Sequence, residues 1–464
     1  MIDLFELQKQ HCRLTAQSSA RDRKRKLTLL KQAIGRFRPQ IQEALYQDYR
    51  KSSTEVDLIE IFATVQEIQY AIDHLSKWME PEMVSIPLTQ LGAKSYILPE
   101  AKGVCLIIAP WNFPITLTLG PLASAIAAGN TVIIKPSEFT PHINAVIKQL
   151  LAEVFDEKEV AVVEGDQMVS TQLLELPFDH IFFTGSPAVG KVVMAAAAKH
   201  LTSCTLELGG KSPVIVDSSA HLDSAAERIV AAKFSNAGQI CIAPDYIYVH
   251  ASLFDAFQKK LIHYIQKFYG NTDQERIKSD YTRIVNQRHH NRLSENLTDA
   301  QAKGAQVVFG GHREENYFSP TLLTKVTDDM RVMQEEIFGP LLPLIPFTDR
   351  EEIVRAIQSQ PKPLACYVFA AGHQLKKWYE QQLSAGGLLF NDAALHFLNP
   401  ALPFGGIGNS GLGKAHGYFG FLEFSHRKSV MHVPQRWSIA SIIYPPFSEG
   451  KKKWIGKILR FLTR

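Results

Sequence analysis

The chain has 464 residues, 45% of them hydrophobic and 21% charged, which is typical of a globular protein with two or three domains. The formal net charge of +4 is small for this length and gives no argument for a nucleic-acid partner. The five cysteines are scattered and never spaced Cys-x-x-Cys, which argues against a disulfide framework or a zinc site and for a reducing compartment.

The N-terminus lacks a basic segment followed by an apolar run, so the sequence predicts no secretory signal peptide. No stretch is long and apolar enough to span a bilayer. We therefore expect a cytoplasmic protein.

Helical periodicity dominates residues 1 to about 80. Apolar residues recur three or four positions apart, at Leu27, Leu30, Ile34 and Phe37 and again at Ile59, Phe62, Val65 and Ile68. The basic run at 21–26 opens the second helix and is interpreted as a solvated helix face. Prolines then break the pattern, and residues 94–98 have strand character.

From residue 103 strands alternate with helices. The first predicted strands span 104–109, 131–134, 160–163 and 180–183, with helices at 117–128, from 140 and at 191–199. A second run adds strands at 214–216, 246–249, 364–369 and 388–391. This alternation predicts an α/β fold with a doubly wound, Rossmann-like parallel sheet.

Cys241 lies in a Gly-containing turn between a small-residue helix and a strand. A reachable sulfur whose charge is stabilised by backbone N–H donors is what a thiolate nucleophile needs. A lone cysteine is more often simply buried, so the nucleophile hypothesis depends on its surroundings.

A cofactor site is indicated where the strand at 180–183 leads into Gly185, Ser186 and Gly190. Ser186 suits a helix N-cap, and free N–H groups at a helix start bind phosphate. The spacing is not Gly-x-Gly-x-x-Gly, and a plain helix start explains it equally well. Lys135 and Glu138 follow the neighbouring strand, where ribose hydroxyls are read in such sheets, although both could be ordinary solvent-facing charges.

Two further residues suit acyl chemistry. Glu207 lies between two leucines at the end of a strand, where burial should raise its pKa toward that of a general base. The alternative is a structural ion pair between Glu207 and Lys211. Asn112, in the turn after the first strand, offers an amide N–H for an oxyanion, although asparagine also commonly forms turns.

The chain resembles the aldehyde dehydrogenase superfamily. Seven motifs match in order, at 110–114, 135–138, 183–186, 207–211, 238–241, 335–340 and 403–406. Within that superfamily it is similar to class 3, the fatty and aromatic aldehyde dehydrogenases. The class features are the short N-terminus, Cys241-Ile-Ala-Pro-Asp-Tyr246, His416-Gly417 and Tyr444-Pro-Pro446.

The resemblance implies a role for each matched residue. Cys241 would attack the aldehyde, Asn112 and the Cys241 N–H would hold the oxyanion, and Glu207 would activate water against the thioester. The remaining assignments are Lys135 and Glu138 on the adenosine ribose, Gly185, Ser186 and Gly190 near the pyrophosphate, Glu336 and Phe338 at the nicotinamide ribose, and Trp111 and Phe404 in the substrate pocket. No metal is expected.

The resemblance also implies NAD as cofactor, with NADP accepted as well, because a carboxylate such as Glu138 repels a 2′-phosphate while Lys135 could pair with one. The expected substrate is a medium- or long-chain aliphatic or aromatic aldehyde, and the expected assembly is a homodimer. Two alternatives stay open: a CoA-acylating dehydrogenase, and a non-catalytic binding or structural protein.

The predicted domains are a dinucleotide-binding domain (1–82 and 102–206), a catalytic domain (207–410), an oligomerisation element (83–101 and 411–434) and a tail (435–464). The tail combines an apolar helical face with basic charge. The apolar face consists of Trp454, Ile455, Ile458, Leu459 and Leu462. The basic residues are Lys451, Lys452, Lys453, Lys457, Arg460 and Arg464. It suits an interfacial helix at an anionic membrane, or equally a helix docked on its own or a partner subunit.

Overall fold

Strands among the described residues form two mostly parallel sheets and two small antiparallel ones. The computed structural model describes residues 1–87, 90–279, 281–438, 441 and 444–463. The strands, numbered along the chain, are β1 (Glu82–Met83), β2 (Lys94–Ala101), β3 (Val104–Ile108), β4 (Thr131–Lys135), β5 (Val160–Val162), β6 (His180–Gly185), β7 (Ser203–Leu208), β8 (Pro213–Val216), β9 (Tyr246–His250), β10 (Gln306–Phe309), β11 (Arg313–Glu314), β12 (Tyr317–Phe318), β13 (Thr321–Thr324), β14 (Leu341–Phe347), β15 (Ala365–Phe369), β16 (Gly387–Phe390), β17 (Gly411–Leu412) and β18 (Ser425–His432).

Helices precede, connect and follow these strands. They are α1 (Ile2–Ala16), α2 (Ala20–Arg36), α3 (Arg38–Tyr49), α4 (Ser53–Glu55), α5 (Phe62–Trp78), α6 (Thr116–Ala128), α7 (Pro141–Val154), α8 (Gln167–Leu174), α9 (Pro187–Ala198), α10 (Leu222–Phe234), α11 (Phe254–Tyr269), α12 (Asp273–Lys278), α13 (Gln287–Ala302), α14 (Arg331–Gln334), α15 (Arg350–Ser359), α16 (His373–Gln382), α17 (Gly417–Glu423) and α18 (Glu449–Leu462). A π-helical segment, Val56–Ile61, joins α4 to α5, and 3₁₀ turns cover Ser235–Gly238, Ala251–Leu253 and Leu395–Leu398.

The first sheet has the strand order β17–β7–β6–β3–β4–β5, and all its strands are parallel except the short edge strand β17. Its central strands are apolar and covered on both faces by helices, which is why β3 and β4 are almost wholly buried. The strand order reverses beside β3, as in a doubly wound fold, and confirms the predicted fold class.

The second sheet follows the order β10–β13–β14–β9–β8–β15–β16, and only β10 is antiparallel. A large apolar cluster packs around it, including Val214, Ile247, Leu344 and Val368. The strand ends of both sheets carry the residues that the sequence singles out for chemistry.

The N-terminal helices are where predicted, but their buried faces differ in part from the expectation. In the first stripe Leu27, Leu30 and Ile34 are buried. In the second stripe Phe62 is exposed, while the polar residues Glu60 and Glu67 are buried. The hydrophobic pattern did not reveal this, because these carboxyls are held by contacts from distant segments.

The basic run at 21–26 is not wholly a solvated face. Arg23 is buried, and its guanidinium donates hydrogen bonds to the carbonyls of Ala16 and Ala127 at 2.7 and 3.0 Å. The interpretation of the run as solvent-facing was therefore wrong at this one position. Here the guanidinium binds carbonyl groups in the last turns of α1 and α6.

The predicted oligomerisation element supplies one antiparallel sheet, β1–β2–β18, in which β2 and β18 pair over their full lengths. Part of the element lies elsewhere, because β17 pairs with the end of β7. The predicted tail helix is present as α18, and none of its described residues is buried. Arg464, counted among the tail cations, lies outside the described residues. Among residues that the structure describes, no helix is long and apolar enough to cross a membrane.

Candidate active site

Residues from both mostly parallel sheets line a cavity of about 830 Å³, here called the main cavity. It has the size of a cofactor or substrate site. Most of the predicted site residues line it: Trp111, Asn112, Gly185, Ser186, Glu207, Cys241, Glu336 and Phe338. The others, Lys135, Glu138, Gly190 and Phe404, are not among its lining residues.

Cys241 follows a tight turn with an unusual backbone. Asn236, Ala237 and Gly238 have φ angles of +49°, +52° and +74°. A side chain at Gly238 would meet the Gly339 carbonyl at 2.4 Å, so a glycine is required there. Such backbone conformations persist only when surrounding contacts hold them, and they often occur at functional sites.

Distant segments provide those contacts. The Asn236 side chain donates to the Asn112 carbonyl at 3.0 Å, and its backbone N–H donates to the Glu55 carboxylate. The buried Gln239 side chain donates to the Arg283 carbonyl at 3.0 Å and accepts from the Val285 N–H at 3.0 Å. The turn is therefore rigidly placed against the rest of the fold.

The Cys241 thiol is half-buried and packs against the core of the second sheet. Burial raises its pKa well above the usual range, and the nearby carboxyls of Glu207 and Glu336 raise it further. The backbone N–H groups of Cys241 and Ile242 point toward the sulfur and lower the pKa, but by less. The expected N–H donors are thus present, yet the thiol stays neutral at neutral pH.

Asn112 is buried beside this turn. Its amide nitrogen donates to the Gln239 carbonyl at 3.0 Å, which leaves a second N–H on the same nitrogen. Its backbone carbonyl accepts from Tyr49 and Lys51 at 3.1 and 3.3 Å. This side chain is therefore held in one orientation on the wall of the main cavity.

Glu207 is buried at the carboxyl end of β7. One carboxyl oxygen accepts from the Thr184 hydroxyl at 3.4 Å, and the other is buried without a partner among the described residues. Burial raises the pKa of Glu207 to about 8. The alternative pair with Lys211 was wrong, because that ammonium forms an ion pair with Asp245 instead.

The strand β6 runs into α9 as the sequence predicts. Ser186 caps the helix by accepting from the Val189 N–H at 3.4 Å, and Pro187 occupies the first helical position. Gly185 and Ser186 line the main cavity at this helix start. Gly190 instead faces β7, where an added side chain would lie 2.7 Å from Leu208. Gly190 therefore allows α9 to pack closely against β7.

Lys135 ends β4 and is buried, which rules out the solvent-facing alternative for this residue. Its ammonium donates to the Pro136 carbonyl at 2.8 Å and lies 3.5 Å from a Glu138 carboxyl oxygen. Burial lowers the pKa of Lys135 below its ordinary value. Glu138 remains largely accessible, with 40% of its side chain exposed.

Glu336 lines the main cavity opposite two glycines. Burial raises its pKa to about 8, and the Asp245 charge adds to this, while the Gly210 N–H donates a hydrogen bond to its carboxyl. A side chain at Gly209 would lie 2.0 Å from a Glu336 oxygen. A side chain at this position would therefore displace the Glu336 carboxyl.

Three residues that hold this segment were not predicted: Lys211, Asp245 and Arg292. Asp245 accepts from the Ile337 N–H at 2.9 Å, and Arg292 donates to the carbonyls of residues 336–338 at 2.9 to 3.4 Å. Lys211 and Asp245 lie inside quoted motifs, so the motifs could have pointed to them. Arg292 lies in a helix without any such signal.

Aromatic rings line one end of the main cavity. The Trp111 ring meets Phe338 edge-on with centroids 5.4 Å apart, and it also contacts His289 at 5.1 Å. Phe404 is separate: it is buried and stacked on His416 at 5.1 Å. His416 in turn lines a second, small cavity of about 40 Å³, here called the rear cavity, which shares Glu207 with the main one.

Comparisons with known proteins agree with this arrangement. A model of the aldehyde dehydrogenase family matches residues 7–430. The 4,4'-diaponeurosporen-aldehyde dehydrogenase of Staphylococcus aureus is 45% identical over 435 residues, which are 93% of each protein. Aldehyde dehydrogenase family 3 member A2 of Pongo abelii is 41% identical over 94% of this chain and 89% of its own. The substrate-bound structure of Staphylococcus aureus AldH has a TM-score of 0.94 at 43% identity and covers 99% of both chains.

Proposed function

The chain belongs to the aldehyde dehydrogenase family, and we propose that it oxidises an apolar aldehyde to the carboxylic acid through a covalent intermediate on Cys241. It is an oxidoreductase acting on aldehydes, and its similarity to family 3 relatives confirms the predicted class. The observation that carries the proposal is that Cys241, Glu207 and Asn112, far apart in sequence, line one cavity.

Acylation begins with proton removal, because the Cys241 thiol is neutral at neutral pH. Glu207 lines the same cavity and is assigned as the acceptor of that proton. As the sulfur adds to the carbonyl carbon, the developing oxyanion takes the free N–H of Asn112. The resulting thiohemiacetal is oxidised to a thioester on Cys241.

A nicotinamide cofactor, when bound, supplies the hydride acceptor for that oxidation. The main cavity suits it: the Glu336 carboxyl, packed against Gly209, lines its wall, and the start of α9 presents free N–H groups. Gly185 and Ser186 would hold the pyrophosphate, Glu336 and Phe338 the nicotinamide ribose, and Lys135 and Glu138 the adenosine ribose. Gly190 would act by keeping α9 close to β7.

Glu207, once it has released the thiol proton, completes the reaction by taking a proton from water as the water oxygen attacks the thioester carbon. The carbon–sulfur bond breaks, and Cys241 leaves as the thiolate. A pKa near 8 places this carboxyl in the range where it both accepts and releases protons near neutral pH. This role argues against the CoA-acylating alternative, because CoA as acceptor needs no activated water.

The substrate assignment rests on the cavity and on one relative. Trp111, Leu117, Met333 and Phe338 give the main cavity apolar walls, and Phe404 lies in an aromatic cluster next to the rear cavity. The Staphylococcus aureus relative is named for 4,4'-diaponeurosporen-aldehyde. A medium- or long-chain aliphatic or aromatic aldehyde fits these surroundings.

A panel of aldehydes assayed for nicotinamide reduction tests the proposal. We expect activity that rises with apolar chain length and falls at least about 1,000-fold in Cys241→Ser. Cys204→Ser is a matched control, because that cysteine is also half-buried but does not line the main cavity. The same loss in both variants, or no reduction with any aldehyde, would contradict the assignment and favour a non-catalytic binding protein.

For the cofactor, we propose NAD as the preferred form with NADP also used. The accessible carboxylate of Glu138 opposes a 2′-phosphate on the cofactor. The buried ammonium of Lys135, 3.5 Å from that carboxylate, favours one. Catalytic efficiencies measured with both cofactors, in the wild type and Glu138→Gln, decide the point. A strong NADP preference in the wild type would contradict the proposal.

For assembly, we propose a homodimer formed through the β1–β2–β18 sheet, the core of the predicted oligomerisation element. β18 is an outer strand of that sheet, and outer strands present backbone groups for pairing with another chain. Light scattering on the purified protein should give twice the chain mass. The substitution Val430→Pro lies in β18 and should shift the measured mass toward that of the monomer if β18 forms the dimer contact.

For the tail, we propose peripheral binding of a cytoplasmic protein to an anionic membrane. Trp454, Leu459 and Leu462 are exposed along α18, and lysines and arginines accompany them. Deleting 447–464 should abolish binding to anionic liposomes while activity on a short soluble aldehyde survives. Unchanged liposome binding would favour the alternative, a tail that docks on a subunit.

A further inference from the structure

The proposed reaction releases two protons each turnover, because an aldehyde, NAD and water give a carboxylate, NADH and two protons. Glu207 is the assigned acceptor of both, yet it is buried and must discharge after accepting each one. Thr184, its hydrogen-bonding partner, is itself buried and uncharged. A route from Glu207 to solvent is therefore required.

The rear cavity adjoins Glu207 on a second side. Its walls include two further ionisable side chains, Glu67 from α5 and His416 from the segment before α17. Its volume of about 40 Å³ has room for about two or three water molecules. Its exposed wall residues are Phe62, Gln66 and Leu398, so this cavity lies between Glu207 and the protein surface.

Polar atoms in this wall are ready to bind water. One Glu207 oxygen and the Nδ1 of His416 are buried and have no partner within the described ranges. The Glu67 carboxyl accepts from the Gly417 N–H at 2.6 Å and is largely buried. Thr64, Thr116 and Ser124 add hydroxyl-bearing side chains to the same walls.

We propose that Glu67 is the proton-relay residue of the hydrolytic step: water in the rear cavity passes to it the proton that Glu207 takes from the attacking water. Each transfer moves one proton along a hydrogen bond, so Glu207 returns to its carboxylate and Glu67 becomes the acid. Glu67 then releases that proton to solvent past Gln66. The inference rests on the proposed function of Glu207.

The charges around the rear cavity support Glu67 over His416 as the residue that accepts the proton from Glu207. Burial raises the pKa of Glu67 to about 7, close to that of Glu207, so the transfer is nearly balanced. Burial lowers the pKa of His416 to about 3, and His396 lowers it further, so this ring stays neutral. Lys414 favours ionised Glu207, whereas the charge of Glu67 opposes it.

The test measures acyl-enzyme formation and hydrolysis separately. A stopped-flow burst of reduced cofactor reports acylation, and rapid-quench appearance of the carboxylate reports hydrolysis. In Glu67→Gln we expect the burst to be unchanged and hydrolysis to slow by about tenfold to a hundredfold. Glu67→Asp and added imidazole should each restore much of the rate. Asp73→Asn, exposed on the same helix, is the matched control and should match the wild type.

Three results would overturn the relay. Hydrolysis at the wild-type rate in Glu67→Gln is one. Slow hydrolysis that neither Glu67→Asp nor imidazole restores is another, since it indicates a structural role. The third is a pH profile of hydrolysis in Glu67→Gln that is shifted but reaches the wild-type plateau rate, because Glu67 would then act by its charge alone. A wild type that forms no reduced cofactor with any aldehyde would instead refute the proposed function.

Discussion

Two buried glutamates lie seven residues apart on one helical stretch, and their surroundings are opposite. Glu60 has a cation: the Lys51 ammonium lies 2.8 Å from one oxygen, and the backbone N–H groups of Ile115 and Thr116 donate to the other. Glu67 receives one backbone N–H and has no ion-pair partner in the described part of the chain. Burial consequently raises the pKa of Glu67 to about 7.

The difference teaches how this protein separates structure from chemistry. A buried carboxyl with a matched cation and saturated oxygens fixes the chain, because removing either partner leaves an uncompensated charge. A buried carboxyl without a paired cation has its pKa raised toward neutral pH, as in Glu67 and Glu207. Four substitutions test this separation.

The largest effect is expected from Lys51→Met. The variant leaves the Glu60 charge buried without its cation, and should destabilise the fold by about 3 to 5 kcal/mol. Chemical denaturation measures the loss. Lys148→Met, which breaks the exposed pair with Glu164, is the control and should change stability by less than about 1 kcal/mol. Equal effects of the two substitutions would contradict the structural role of Glu60.

The opposite effect is expected from Glu67→Gln. A carboxyl whose folded pKa is raised from 4.5 to about 7 destabilises the fold as the pH rises through that range. The variant removes this penalty, so it should gain about 2 to 3 kcal/mol above pH 7 and nothing near pH 4. Melting temperatures measured from pH 4 to pH 9 check this. A pH-independent difference would show that the titration of Glu67 does not couple to folding.

Gly209→Ala tests the packing of the Glu336 carboxyl. The added methyl lies 2.0 Å from a Glu336 oxygen, so the carboxyl must move away from its place beside the cavity. We expect cofactor affinity to fall about tenfold, measured by fluorescence titration. Gly35→Ala is the control, because no atom lies within 4 Å of the added methyl. Unchanged affinity in Gly209→Ala would argue against Glu336 as a cofactor ligand.

Glu207→Gln gives the smallest expected change and reports on Cys241. The Glu207 charge raises the pKa of the Cys241 thiol, so its removal should lower that pKa. Alkylation by iodoacetamide above pH 8 should then be about threefold to tenfold faster, since each pKa unit changes the thiolate fraction tenfold. Slower alkylation would show that Glu207 activates the thiol without substrate.

Motifs explain how much of the site was predictable. Asn112 and Glu207 stand at the carboxyl ends of predicted strands, which parallel pairing brings to one edge, whereas Cys241 precedes its strand and was singled out by its Gly-containing turn. Glu336 also precedes a strand, and only the family resemblance led to it. Arg292, which holds the carbonyls of residues 336–338, was missed because one arginine in an amphipathic helix looks like any other.

The errors share a physical origin. Periodicity places apolar side chains on a helix face, but it does not say which distant backbone groups meet that face. Glu60 and Glu67 were therefore not singled out from the sequence, and the apolar Phe62 was counted with the apolar stripe although it is exposed. Lys211 was offered as a partner for Glu207 from sequence proximity, whereas the fold carries it to Asp245.

What the sequence determined by itself was the order of strands and helices, the parallel α/β fold and the chemistry of the residues at strand ends. Local periodicity and short motifs carry that information, since they depend on neighbouring residues alone. The tertiary structure decided which carboxyls are compensated, where the two cavities lie and that Glu207 faces both. Those properties depend on burial and on contacts between segments hundreds of residues apart, such as that of Glu67 with Gly417.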